Sequence, residues 1–521
     1  MAKVFFIYPN LNAQEGFNHG IAALSGALKA AGAETELLHL NEHLYPVPSM
    51  EEIAERVRRF DPHLVCFTAM SQQYKYALRI ARALKERFPY PLAIGGVHAT
   101  MVPEEVAADG VFDFIGVGEC DRALPALVRA LRMDRDPRGI PNIWAREGDG
   151  YRRNPVGPFP ELELLPPKDY EVFDLDHLLA RMNGWMSMIT SRGCPFRCTY
   201  CFNHGIVRRY RAEAGVRPAS YLRRYPLERV LDECNTLKER HPGIETFIFD
   251  DDLFTLDEGY VLEFCRAYAE RGPGVPFVLN GHVQAFTPAM AEALRRAGCR
   301  IVKFGVESGS ERIRRTVLRR HMTNEQIRRA FAWAHEAGLH TSAFIMIGLP
   351  LEEREDLMAT VDLLAELRPG RFRWAVFYPF PGTDIHALCV ERDLIDPGKL
   401  ERLDDFYQAS PLRLSPEQEL LVAKMQRCLH WYVNARADLP SAPVYRRLVE
   451  EVERLPPEAW RRRAEGFLEE DRRVSERMEA ASLLHYAIRY TQVMAVRSDY
   501  REEGRPSPEV KEWNTGAPPP L

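Results

Sequence analysis

The chain has 521 residues, 46% hydrophobic and 27% charged, which is a globular composition at a length of about three domains. A net charge of −5 gives no global attraction for phosphate, and only 10 of the 69 basic residues are Lys, an arginine bias spread along the chain; both argue against a dedicated nucleic-acid binder. Ten cysteines are too few for a disulfide scaffold, and no apolar run approaches the roughly 18–20 residues of a membrane-spanning helix. The start, Met1-Ala-Lys-Val-Phe-Phe-Ile-Tyr, reads as a first buried strand rather than a signal peptide, so the expected location is the cytoplasm.

From residue 1 to about 135, apolar runs at Val4–Tyr8, Glu36–Leu40, Leu64–Thr68, Leu92–Gly95 and Phe112–Gly116 alternate with helical patterns near Gly20–Ala31, Met50–Arg59, Tyr74–Phe88 and Arg122–Arg132. Five strands at this spacing predict a doubly wound, flavodoxin-like α/β unit over residues 1–140, with ligands beyond the carboxyl ends of its strands. Three polar or glycine-rich turns fall on that edge: Ser71-Gln72-Gln73, Gly95-Gly96-Val97-His98-Ala99-Thr100 and Gly116-Val117-Gly118-Glu119. They are either plain turns or a place where ligand and backbone approach closely. Residues 141–184, punctuated by Pro141, Pro155, Pro158, Pro160, Pro166 and Pro167, read as a connector.

Alternation resumes over 185–392. Six strands are expected at Trp185–Thr190, Thr246–Asp250, Phe277–Asn280, Ile301–Gly305, Ser342–Gly348 and Trp374–Phe380, with helices between them. Six β/α units make either an open sheet or a partial barrel, and in a barrel the chemistry sits at the carboxyl ends of the strands. Past Asp396 the strand signal stops. Residues 397–500 read as helices with packing aromatics (Phe406, Tyr407, Trp431, Tyr432, Trp460, Tyr486), and the tail from Ser507 through Pro518-Pro519-Pro520 as disordered.

Seven cysteines (Cys66, Cys120, Cys234, Cys265, Cys299, Cys389, Cys428) are scattered through apolar stretches, as buried reduced thiols are. The other three are clustered: Gly193-Cys194-Pro195-Phe196-Arg197-Cys198-Thr199-Tyr200-Cys201-Phe202-Asn203-His204. Three thiols within a span of eight residues, just after a strand, can converge on one centre. Zinc, with His204 as a fourth ligand, is one reading. A four-iron cluster that leaves one iron open is the other, and the position inside an α/β repeat favours it.

Cys194-x3-Cys198-x2-Cys201, with aromatic Tyr200 before the last Cys, resembles the signature of the radical S-adenosylmethionine (radical SAM) enzymes. In that family three Cys hold a [4Fe–4S] cluster whose open iron chelates SAM. Four further segments are similar to the family's strand-end motifs, in order: Phe249-Asp250-Asp251-Asp252-Leu253-Phe254, Phe304-Gly305-Val306-Glu307-Ser308-Gly309-Ser310, Phe344-Ile345-Met346-Ile347-Gly348-Leu349-Pro350 and Pro379-Phe380-Pro381-Gly382-Thr383. The resemblance implies SAM contacts at Tyr200, Phe202, Asp251, Glu307, Ser308 and Met346, although alternation alone leaves open which of Asp250, Asp251 and Asp252 points inward. A doubly wound domain, a Pro-rich connector and a radical SAM barrel, in that order, resemble the cobalamin-binding branch of the superfamily. That implies corrinoid contacts at Ser71, Gln72, Gly95, Gly96, His98, Ala99, Thr100, Gly118 and Glu119. The Asp-x-His-x-x-Gly motif that several cobalamin proteins use to place a His on cobalt is absent, so His19 is expected to be an ordinary surface or core residue.

The resemblance implies a cobalamin-dependent radical SAM methyltransferase. An electron from a reduced ferredoxin- or flavodoxin-type donor would cleave SAM to a 5′-deoxyadenosyl radical. The radical would remove a substrate hydrogen, and methylcobalamin would methylate the resulting carbon. A cyclase or ring-rearranging enzyme acting on tetrapyrroles or lipids without methyl transfer is the alternative. RNA methylthiolation would need further N-terminal cysteines, where only Cys66 and Cys120 precede the barrel. A vitamin- or zinc-binding interaction module would leave the ordered strand-end motifs unexplained.

Overall fold

A computed structural model describes residues 1–403 and 407–500; Phe406 and the tail from Ser507 lie outside the described residues. Apolar side chains on both faces make β1 (Ala2–Pro9), β2 (Ala33–Leu40), β3 (Leu64–Thr68), β4 (Leu92–Gly95) and β5 (Phe114–Gly116) strands of a covered parallel sheet, in the doubly wound order β2-β1-β3-β4-β5. The period of two splits the core. Val4 and Phe6 pack under helices His19–Ala30 and Ala123–Arg132, whereas Phe5 and Ile7 pack under Met50–Phe60 and Tyr74–Arg87.

Two findings depart from the expectation here. The stretch read as a connector begins with a hairpin, β6 (Ile143–Glu147) and β7 (Gly150–Arg152), which adds antiparallel to β5 and extends the sheet to seven strands. Ile143, Trp144 and Ala145 are buried, and Gly148 takes φ +60° in the turn. Flanking prolines hid a Gly-Asp-Gly hairpin signal. The segment after β4 is also not all turn, because Val97–Met101 forms a short helix.

Beyond it come β8 (Trp185–Met188), the two-residue antiparallel pair β9 (Ser191–Arg192) and β10 (Arg223–Arg224), then β11 (Thr246–Phe249), β12 (Phe277–Gly281), β13 (Cys299–Glu307), β14 (His340–Ile347) and β15 (Arg371–Val376). The six long strands are parallel, in the order β8-β11-β12-β13-β14-β15, with the connecting helices packed on their outer face. Outward residues such as Phe304, Phe372 and Trp374 are fully buried, but the alternate positions Lys303, Gly305, Phe344, Met346 and Arg373 keep partial exposure. The concave face of this partial barrel is therefore an open lumen.

Helices Pro416–Arg436, Ala442–Arg454, Pro457–Glu465 and Phe467–Ala480 bury Trp431, Tyr432 and Trp460, as expected of packing aromatics. The C-terminal region is not wholly helical, however. β16 (Tyr486–Ile488) and β17 (Met494–Arg497) form a hairpin that pairs antiparallel with β15. Strands of three and four residues that borrow a remote edge have too little alternation of their own to be read from sequence.

Candidate active site

The cysteine loop leaves β9 through Gly193, whose φ of +92° and contact with the Tyr221 carbonyl exclude a side chain. Thr199 pins the middle of the loop: its N–H donates to the Leu318 carbonyl (3.0 Å), its hydroxyl to the Val317 carbonyl (2.7 Å), and its carbonyl accepts from Ile385 N–H (3.0 Å). Cys201 then caps the helix Phe202–Ala214. All three thiols are free. Burial pushes the Cys194 thiol up to about 11 and that of Cys201 to about 12, against the opposing pull of the Phe196 and Asn203 N–H groups. Thiols held protonated by burial in this way become ligands when a cationic iron centre supplies the compensating charge.

Among the described residues no three His, Cys, Asp or Glu side chains converge closely enough for a single ion. His204, the fourth ligand of the zinc reading, turns instead to Asp384, with Nε2 3.4 Å from the carboxylate. A free three-thiol loop with backbone donors suits a polynuclear cluster with one open iron.

Arg320 is the residue at this site that sequence reasoning missed. Its Nη1–H donates to Cys198 Sγ (3.7 Å) and to the Tyr200 hydroxyl (3.4 Å), and Nη2–H donates to the Gly305 carbonyl (2.6 Å). Glu307 stands beside it at a register shift in β13, with φ +66°, and so turns its carboxylate toward Tyr200. Burial raises the Glu307 pKa, while the Arg320 charge and the Tyr200 hydroxyl oppose the rise. Phe202 meets Phe380 edge-on, with ring centroids 4.9 Å apart, and Met346 and Tyr200 both pack against the apolar cluster of Ile313, Val317, Leu318 and Leu349.

The acidic triplet divides its work. Asp250 accepts from the Ser187 hydroxyl (2.6 Å) and pairs with Lys303 (3.0 Å). Asp251, expected to be the SAM contact, is buried and saturated: Thr190 N–H, the Thr190 hydroxyl and the Ser191 hydroxyl all donate to it. It ties the segment after β8 to the end of β11, with most of its hydrogen bonds on Oδ1. Asp252 faces the cysteines instead; burial raises its pKa, opposed by the Asn203 side chain and Gly193 N–H, and its charge acts on Cys194 and Cys201. Ser308, also expected at SAM, is fully buried. Its oxygen accepts from Ser310 N–H and lies 3.4 Å from the Thr360 hydroxyl, inside the wall of the barrel.

A cavity of about 380 Å3 lies between the two sheets. Gly95, Gly96 and Gly118 edge it on one side, Gly193, Tyr221 and the acidic triplet on the other, and its apolar depth runs between the N-terminal sheet and two helices, past Phe6, Leu24, Phe114 and Leu127. At Gly96, φ is +93° and a Cβ would strike Thr68 and Ala69, so only glycine lets this edge stay open. Glycine-edged strand ends above an apolar shaft fit a wide ring carrying a long arm.

Of the remaining corrinoid candidates, Glu119 also lines the cavity, whereas Ser71, Gln72, His98, Ala99 and Thr100 do not. Ser71 and His98 are joined (Oγ to Nδ1, 3.1 Å) and, with Gln72, do not line the cavity; His98 Nε2 and Gln72 Nε2 have no partner among the described residues, and burial takes the His98 pKa down to about 4. Ala99 is core. Thr100 is structural: its hydroxyl oxygen accepts from Gly118 N–H (3.0 Å) and its O–H donates to the Gly96 carbonyl (2.9 Å). Glu119 is held as an interdomain clamp by Arg192 (2.8 Å) and Arg223, and Arg192 also forks onto Asp121 (2.9 Å). His19 is neither surface nor core filler. It lines the cavity, and its Nε2 is hydrogen-bonded to the Ser187 hydroxyl (3.0 Å).

Residues 188–364 match the family profile of the Radical SAM superfamily, and residues 13–128 that of the B12 binding domain. The chain is 27% identical over 350 residues to a protein of Pyrococcus horikoshii named uncharacterized methyltransferase PH0819, covering 67% of this chain and 73% of that one. It is 25% identical over 401 residues to the anaerobic magnesium-protoporphyrin IX monomethyl ester cyclase of Cereibacter sphaeroides, covering 74% and 63%. The solved structure of the radical SAM methyltransferase TsrM from Kitasatospora setae, with cobalamin and a [4Fe-4S] cluster bound, shares the fold at a TM-score of 0.60 and 20% identity, over 75% of this chain and 78% of that one. With the cysteine loop and the glycine-edged cavity opening on one another, the chain belongs to the cobalamin-binding radical SAM enzymes, whose cofactors are a [4Fe–4S] cluster, SAM and cobalamin.

Proposed function

We propose that the protein is a methyltransferase that moves a methyl group from cobalamin to an unactivated carbon of a small-molecule, lipid or natural-product substrate. The observation that carries this reading is the single cavity onto which both cofactor regions open, bounded by Gly95, Gly96 and Gly118 on one side and by Gly193 and Asp252 on the other. When bound, the cluster with SAM supplies a carbon-centred radical and the corrinoid supplies the methyl group. Cys194, Cys198 and Cys201 hold the cluster, and Arg320 offsets thiolate charge at Cys198. Asp252 and Glu307 offer acceptors to the SAM ammonium and ribose, with Tyr200 and Met346 packed beside them. The buried walls of the barrel exclude water from a reactive radical. A reduced ferredoxin- or flavodoxin-type protein, or a chemical equivalent, delivers the electron. Among the described residues no helix is long and apolar enough to cross a membrane.

Similarity to the Cereibacter cyclase favours one other reading, ring formation without methyl transfer. Anaerobic reconstitution with iron, sulfide and hydroxocobalamin, followed by turnover with SAM and mass analysis of products, tests both. Methyl transfer adds one methyl group to the substrate, and cyclisation adds none. Failure to bind any corrinoid would remove the proposal.

A further inference from the structure

Below the cysteine loop the lumen carries charged side chains that the proposed cofactor chemistry does not use. Strand register puts Arg371, Ser342, Lys303 and Asn280 in one row across β15, β14, β13 and β12. Asp250 closes the row through its ion pair with Lys303. In the next row up, Arg373 sits beside Phe344 and Gly305. All three cations take the inward phase of their strands, because Phe304, Phe372 and Trp374 between them are buried under the outer helices.

Arg371 is the telling member. It is only 8% exposed, its guanidinium reaches across the barrel to lie 5.8 Å from the centre of the Trp185 ring on β8, and its Nε has no partner among the described residues. Arg373 donates to the Tyr407 hydroxyl (2.6 Å) and lies over that ring. Three cations thus face one carboxylate, Asp250, which is already shared between Lys303 and Ser187. Burial holds His19 neutral, so it adds no charge. A guanidinium buried this deeply, with an unpartnered Nε and no carboxylate beside it among the described residues, is costly unless an anion completes it.

We infer that the lumen binds an acidic substrate, with a carboxylate or phosphate seated on Arg371, Lys303 and Arg373. The inference rests on the proposed function and adds the substrate's chemical class. Arg371 lies five positions before the end of β15, so at about 3.3 Å per residue its side of the row is roughly 16 Å below that strand's carboxyl end, while Asp250, at the other side of the row, directly follows β11. The substrate is then elongated, acidic at one end and reactive at the other.

The test uses the full chain loaded anaerobically with cluster and hydroxocobalamin, with phthalate and inorganic phosphate as probes in low-salt calorimetry. Arg371→Gln and Lys303→Met should each weaken probe binding at least tenfold, and Arg371→Lys, which keeps the charge, should recover most of it. Tighter binding of phthalate identifies a carboxylate, and tighter binding of phosphate a phosphoryl group; either supports the inference. Should Arg371→Gln fail to fold, Arg371→Lys and Lys303→Met carry the comparison. If the loaded protein binds neither probe, or the folded variants bind as wild type does, the inference is overturned. Iron and corrinoid content of the same preparations report the proposed function separately, since a chain that loads neither cofactor defeats that reading whatever the probes do.

Discussion

Asp251 and Asp252 are chemically identical neighbours in different settings, and the difference lies in who donates to them. Asp251→Ala strips acceptors from Thr190 and Ser191. With hydrogen bonds to charged groups worth about 1.5–3 kcal/mol, its melting temperature should fall on the order of 5–10 °C. Asp252→Asn should leave the fold intact and weaken SAM binding about ten- to a hundredfold at unchanged iron content, measured by equilibrium dialysis and iron analysis. Equal SAM affinity in folded Asp252→Asn protein would refute that assignment. Cys198→Ala should lose stoichiometric iron, whereas Cys234→Ala, remote in the outer packing, should keep it. Glu352 gives a pH signature. Its carboxylate accepts from Gly348 N–H (2.8 Å) and Leu349 N–H (3.1 Å), yet burial raises its pKa from 4.5 to about 8. A carboxyl whose pKa is raised on folding contributes stability fully below its unfolded pKa and loses it as pH climbs through the folded value. Glu352→Gln keeps an acceptor without the charge, so it should match wild type near pH 5 and melt higher than wild type above pH 8. Parallel melting curves at all pH values would contradict this.

At the scale of elements, the two cofactor regions are joined by short pieces of structure. Met101, at the end of the helix after β4, packs against Gly205 on the helix that follows the cysteines and against Gly382, and Tyr210 on that same helix accepts from Glu119 N–H (2.8 Å). Arg192, two residues before Cys194, forks onto Asp121 and reaches Glu119, while Arg223 on the paired strand β10 holds Glu119 from the other side. Such part-buried, bidentate pairs fix geometry more than they add stability. Asp121→Asn should therefore uncouple the chemistry: 5′-deoxyadenosine should still form, but methylated product per deoxyadenosine should drop severalfold. A fall in both by the same factor would argue for a cluster defect instead. The elements themselves were largely legible. Leu64–Thr68 and Leu92–Gly95 match the sequence reading residue for residue, because a buried parallel strand bounded by turns writes its own limits. The β6–β7 and β16–β17 hairpins were not legible, since each depends on an edge, β5 or β15, that only the folded sheet presents.

For the whole molecule, the seam cavity makes corrinoid binding and folding a linked equilibrium. At a hundredfold excess over Kd, a ligand that binds only the folded state adds about 2.7 kcal/mol. Hydroxocobalamin should accordingly raise the melting temperature of the full chain, followed by circular dichroism, and a transition indifferent to it would mean the cavity is not its site. The order of the domains, the three-cysteine loop and the strand ends that face it were determined by the sequence alone, because each is written in a few contiguous residues whose spacing is read without knowing the rest of the chain. Tertiary structure alone decided that Arg320, more than a hundred residues past Cys198, meets its sulfur, that Glu119 is spent on Arg192 and Arg223, and that Lys303, Arg371 and Arg373 share one lumen. Alternation tells which face of its own strand a side chain takes, but what it meets there is set by register and by the turn of the sheet, which no local stretch of sequence contains.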